Sequence, residues 1–98
     1  MEVSFADDDL EQIYIEASAD GGFVPGLVTA YRKRIQFIYE AKDERDLRAW
    51  KSLHFEKLKG NRKHQHSIRL NDQYRLIIEF EGKADDKVVV IIEIEDYH

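Results

Sequence analysis

The chain has no cysteine, and only one proline, one methionine and one tryptophan among 98 residues. Without cysteine there is no disulfide framework, no zinc–thiolate site and no thiol nucleophile. No apolar run approaches the length of a membrane span. The first twenty residues hold no Lys or Arg, so they do not read as a secretory leader with its basic start. These absences lead to the expectation of a cytoplasmic protein with no membrane contact. A chain of this length is expected to form a single domain over residues 1–98. Hydrophobic residues make up 43% of it, enough for one small core.

Net charge is −5, which argues against a general nucleic-acid binder. The charge is unevenly spread. Glu2, Asp7, Asp8, Asp9, Glu11, Glu16 and Asp20 make the opening segment strongly acidic. The middle of the chain is basic and also carries His54, His64 and His66. Lys57, Lys59, Arg62, Lys63 and Arg69 meet no acid between positions 57 and 71. A local field of this kind can capture a polyanion despite the net sign. A solvated basic loop is the plainer reading of the same residues.

The expected order of elements is β-α-α-β-β-β, with a further short helical stretch near 45–52. Residues 2–6 alternate and read as a first strand. Asp7, Asp8 and Asp9 supply an N-cap and acidic first turn. Leu10, Ile13, Tyr14 and Ala17 follow at helical spacing, and Gly21-Gly22 ends that helix. Pro25 suits the first turn of a second helix, whose buried stripe is Leu27 or Val28, Tyr31, Ile35 and Ile38. Arg32, Lys33 and Arg34 flank that stripe as mostly solvated charge. Trp50 reads as a packing residue, and Tyr31 and Tyr39 as core or partner-facing residues. Strands are expected at about 64–70, 73–81 and 87–95. Helices early and strands late indicate an α+β fold, with two N-terminal helices on one face of a mostly antiparallel sheet.

The Asn71-Asp72 turn allows a register test. A three-residue loop, Asn71-Asp72-Gln73, pairs Leu70 with Tyr74 and Ile68 with Leu76. A two-residue loop would mix polar with apolar neighbours, so the longer loop is preferred. That register sets Arg69 opposite Arg75. Like charges there need something anionic between them: a phosphate, Glu79 or Asp96.

The apolar run 88–92 leads almost directly to Asp96-Tyr97-His98. This triplet places a carboxylate, a stacking ring and an imidazole on one short piece of backbone. A solvated strand end is the bland alternative. His64 and His66 lie two apart on an expected strand, but no third ligand accompanies them, so no metal site and no cofactor are expected.

Leu58-Lys59-Gly60, the stretch from Ser67 to Leu76, and the terminal Asp96-Tyr97-His98 together resemble the RelE/ParE toxin superfamily. The closest resemblance is to its HigB-type toxins from type II toxin–antitoxin modules. It is motif-level over about the last forty residues and topological elsewhere. It implies a RelE-like fold and ribosome-dependent cleavage of mRNA. It also implies silencing by a HigA-like helix-turn-helix antitoxin, with DNA reached only through that antitoxin. Cleavage by 2′-OH attack needs a base, an acid and positive charge at the phosphorane. His98 could serve as base or acid, with Asp96 orienting it or taking the proton itself. Lys57, Lys59 and Arg75 could hold the phosphate, and Tyr97 could stack a base. The family's His before the Lys-Gly segment corresponds either to His54 or to Lys57. Arg62, Lys63, His66 and Arg69 are further candidates for RNA contact. Two rival readings remain: a ParE-like toxin that inhibits a topoisomerase, and an inactive toxin-fold binding protein.

Overall fold

Residues 1–83 and 86–97 are described by the computed structural model. Five strands form one mixed sheet in the order β1-β5-β4-β3-β2. They are β1 (Glu2–Phe5), β2 (Glu56–Lys57), β3 (Gln65–Arg69), β4 (Tyr74–Glu81) and β5 (Val88–Asp96). The first strand runs parallel to β5, and every other pairing is antiparallel. Helices α1 (Asp8–Ile15), α2 (Pro25–Glu40) and α3 (Glu44–Ala49) lie between β1 and β2. The α+β expectation therefore holds, with one strand more than the sequence suggested.

Each helix begins where its capping chemistry directs. The Asp7 side chain accepts from Leu10 N–H at 2.9 Å, and that of Asp43 accepts from Arg45 N–H at 2.8 Å. Pro25 opens α2, where its missing N–H costs nothing. The α2 stripe is as expected: Leu27, Val28, Tyr31, Ile35 and Ile38 are all buried. They pack with Ile68, Leu76, Ile78, Val89 and Ile91 of the sheet. The Tyr31 hydroxyl donates to the Leu10 carbonyl at 2.7 Å, tying α2 to α1. Burial pushes the Tyr31 phenol well above its ordinary range.

Two readings of this region need correction. Helix α1 ends at Ile15, well before Gly21-Gly22, and Ala17 is exposed. Arg32 is the physical reason. Its guanidinium donates to the carbonyls of Ile13 (2.8 Å), Glu16 (3.0 Å) and Ala19 (3.0 Å). Arg32 thus satisfies the open carbonyl end of α1 and is half-buried, not solvated. Arg34 is half-buried too, and its Nε donates to the Arg69 carbonyl at 3.1 Å. Trp50 packs edge-on against Phe37 at 4.7 Å and under the Arg34 guanidinium at 4.9 Å, yet stays partly exposed.

The unforeseen strand β2 is two residues long, too short to carry an alternation signal. It pairs Lys57 with His66 and Glu56 with Ser67. The expected hairpin register is present at β3–β4, with Ile68 opposite Leu76 and Arg69 opposite Arg75. The Asn71 side chain accepts from Gln73 N–H at 2.8 Å and Tyr74 N–H at 2.7 Å, fixing the three-residue loop. A register shift between Ile77 and Ile78 leaves Ile92 of β5 without a direct opposite number. The shift lets Ile91 and Ile94 both face the helices.

Candidate functional site

Strand alternation gives the sheet two unlike faces. Ile68, Leu76, Ile78 and Ile91 point into the helix-packed core. The opposite, helix-free face carries Arg75, Ile77 and Glu79 of β4 with Glu93 and Glu95 of β5, paired Arg75–Glu95 and Ile77–Glu93. Gln65, Ser67 and Arg69 of β3 lie in the same cross-strand rows.

The end of β5 comes to rest against the β3–β4 turn. Tyr97 N–H donates to the Gln73 carbonyl at 2.7 Å. The Gln73 side-chain amide donates to Asp96 Oδ2 at 3.0 Å. The Arg75 guanidinium carbon lies 5.0 Å from the centroid of the Tyr97 ring. Arg75 also donates to the Asn71 carbonyl at 2.9 Å. A cation, an aromatic ring and a carboxylate thus meet at one corner of the sheet. His98, the last member of the triplet, lies outside the described residues.

The Arg69–Arg75 juxtaposition is resolved locally. Arg69 pairs with Asp72 of the turn, and Arg75 turns toward Asn71 and Tyr97. Each arginine thus has local partners of its own. Arg69 still leaves a trace on its neighbourhood. Burial, reinforced by the positive charge of Arg69, lowers the pKa of Arg34.

Arg62 reaches the helix-free face from the 3₁₀ turn Gly60–Arg62. Its Nε donates to Gln65 Oε1 at 3.0 Å on β3, and its Nη2 meets Glu95 Oε1 at 2.9 Å on β5. Glu93 lies 3.8 Å away from the same nitrogen. The hydrogen bond to Glu95 raises the Arg62 pKa. Gln65 in turn donates to Glu79 at 2.9 Å, and His64 lies 3.6 Å from that carboxylate.

Other expected site residues lie elsewhere. Direct cross-strand partners share a face, so Lys57 points to the side of His66, opposite Arg75. Lys57 and Arg75 therefore leave opposite faces of the sheet. His66 is half-buried on the helix side of the sheet. Its ring stacks on Phe55 at 5.0 Å and meets Phe80 edge-on at 5.1 Å. Its Nδ1 is buried and meets no hydrogen-bond partner among the described residues. Burial lowers its pKa. His54 is exposed with left-handed backbone (φ 48°), at the end of the 3₁₀ turn Lys51–Leu53. Lys59 and Lys63 are exposed on either side of the 60–62 turn. Sequence reasoning passed over Asn71, Gln73, Glu93 and Glu95. The alternation Ile92-Glu93-Ile94-Glu95 marked the last two as outward-facing, but nothing marked Arg62 as their partner.

Comparison with known proteins bears on the chain as a whole. A family model described as "RelE-like toxin of type II toxin-antitoxin system HigB" matches residues 3–98. Toxin HigB-1 of Vibrio cholerae is 35% identical over 80 residues, covering 82% of this chain and 84% of that protein. A solved YoeB/ParE toxin from Agrobacterium tumefaciens superposes with a TM-score of 0.62 over the whole of both chains, at 14% identity. That likeness concerns the fold, and it agrees with helices on one face of a mixed sheet.

Proposed function

Because this chain belongs to the HigB-like family of RelE-like toxins from type II toxin–antitoxin systems, and so has an antitoxin as its partner, we propose that it is a ribosome-dependent mRNA endoribonuclease. The observation that carries the reading is the corner where Arg75 lies 5.0 Å from the Tyr97 ring, beside Asp96. In the proposed reaction the ribose 2′-oxygen attacks the adjacent phosphorus, and its proton passes to a base. The bond to the 5′-oxygen breaks, and that oxygen takes a proton from an acid. The products are a 2′,3′-cyclic phosphate and a 5′-hydroxyl. Asp96 and His98 supply the proton-transfer pair, Arg75 stabilises the phosphorane charge, and Tyr97 stacks a base. Since the nucleophile is part of the substrate, this route needs no metal-bound hydroxide.

Arg62 and Arg69 are proposed contacts to the RNA backbone beside this corner. Lys57, Lys59, Lys63 and His54 are proposed contacts to RNA away from the reacting phosphate. The antitoxin is proposed to be HigA-like, with a helix-turn-helix fold through which the pair reaches DNA. Cytoplasmic action fits this reading. Among the described residues no helix is long and apolar enough to cross a membrane.

The test uses a programmed ribosome and a message with a single 2′-deoxy sugar at the cut position. The all-ribose message should be cut, leaving a cyclic phosphate, and the deoxy message should survive. Cleavage of the deoxy message would overturn the mechanism. No cleavage in any ribosomal context, with inhibited DNA supercoiling, would move the assignment to a ParE-like topoisomerase inhibitor.

A further inference from the structure

The helix-free face is where an RNA strand would have to lie to reach Arg75 and Tyr97, yet carboxylates line it. Glu95 stands opposite Arg75 across the β4–β5 pair, Glu93 opposite Ile77, and Glu79 flanks the same face. Arg62 arrives from the far side of β3 and is bound by Glu95 at 2.9 Å, with Glu93 at 3.8 Å. A guanidinium held this way contributes no net charge toward a polyanion.

We propose that Glu93 and Glu95 are specificity-determining residues, which make this toxin selective for RNA already held on the ribosome over free RNA, by keeping Arg62 neutralised on the helix-free face. The proposal rests on the nuclease reading above. Affinity for a free single strand depends on how many phosphates the protein neutralises. Ion-pairing Arg62 to the protein's own carboxylates removes one such contact, and the two carboxylates repel the strand as well. A message held on the ribosome is brought to the face by docking contacts elsewhere, so its effective concentration replaces electrostatic capture. The pair can yield to such a substrate. Arg62 is 38% exposed and Glu93 52% exposed, and pairs this open to water are weak. Glu95, at 24% exposed, is the firmer anchor. The exposed basic residues Lys57, Lys59 and Lys63 carry no such carboxylate clamp among the described contacts. The restraint therefore falls on the substrate face and spares the sheet edge.

The experiment compares the full-length wild type with E93Q/E95Q. The binding probe is a fluorescein-labelled 2′-O-methyl oligoribonucleotide, which offers no free 2′-OH for attack. E93Q/E95Q should bind it about tenfold more tightly, the effect of one charge-assisted contact. Its log affinity against log salt should steepen by about 0.7, as for one further phosphate on a single strand. Cleavage of free RNA should rise on the same scale, and cleavage of ribosome-held message should change little. E93Q alone, which keeps the Glu95 contact, should give a smaller gain and serves if the double variant folds poorly. Adding R62A to E93Q/E95Q should cancel most of the gain. E11Q/E16Q makes the same change in net charge on the acidic α1 segment and should behave as wild type.

Unchanged binding and salt slope in E93Q/E95Q, with cleavage intact, would overturn this proposal alone. So would an equal gain in E11Q/E16Q, a gain that survives R62A, or a wild type that cuts free and ribosome-held RNA equally well. A wild type that cuts no RNA in any context would overturn the nuclease reading beneath it.

Discussion

The two faces of the sheet are built from the same strands and follow opposite rules. On the helix side, Ile68, Leu76, Ile78, Val89 and Ile91 pack against the α2 stripe, whose one buried hydroxyl, on Tyr31, is satisfied by the Leu10 carbonyl. On the other side, Arg62, Gln65, Glu79, Glu93 and Glu95 form a chain of polar contacts across three strands. Burial governs the first face, and its cost for error is a cavity. Charge pairing near water governs the second, where each contact contributes little to stability and much to what the face can bind. A substitution on one side should therefore be felt mainly as stability, and on the other mainly as activity.

The strongest break in that comparison is at the end of β5. Deleting Tyr97 and His98 removes the ring over Arg75 and the 2.7 Å bond to Gln73, while the pairing of Ile91 and Ile94 with β4 remains. Growth arrest on induction without antitoxin should be abolished, with a cooperative thermal transition retained. A folded truncation that still arrests growth would separate toxicity from this corner.

A matched pair sharpens the contrast. Ile35→Ala empties a fully buried position on α2 and should cost about 2–5 kcal/mol in urea unfolding. Arg75→Ala should leave stability within about 1 kcal/mol. It should slow cleavage on the order of tens- to thousands-fold, as expected for one lost transition-state charge partner. If both substitutions lower stability and activity in parallel, the division between the faces fails.

What the sequence showed follows the same division. The α2 stripe, the Pro25 start and the β3–β4 register were legible because burial forces a period, and a register slip would have exposed Ile68 and Leu76. The Arg69–Arg75 clash was legible for the same reason. Its resolution by Asp72 was not, because alternation gives a side chain's face but not its reach. Arg62 makes the point most clearly. It sits in a turn, yet its partner Glu95 lies on the far side of β4. The placement of Lys57 and His66 on the helix side was not legible, because they sit on and against a strand too short to read. The end of β5 could be followed because the strand is long and strongly apolar, but that its Tyr97 lies over Arg75 came only with the structure.

The smallest expected effect tests the helix-side edge by pH. His66 is sandwiched with Phe55 and Phe80, and burial lowers its pKa from the ordinary 6.5. Arg48, Lys57 and Lys87 push it in the same direction, and Glu44 opposes them. The folded state therefore prefers the neutral ring. Above pH 6.5 the ring is neutral in folded and unfolded chains alike, and no pH dependence arises from it. As pH falls below that value, the unfolded chain takes up a proton that the folded ring resists, and stability declines until the lowered folded pKa is passed. His66→Phe keeps an aromatic ring between Phe55 and Phe80 and cannot be protonated. Urea unfolding at pH 7.5 and pH 5 should show a smaller loss on acidification in H66F than in wild type. Identical losses would mean that His66 takes its proton as easily in the fold as in the open chain, and that the Phe55–His66–Phe80 stack does not exclude the charged ring.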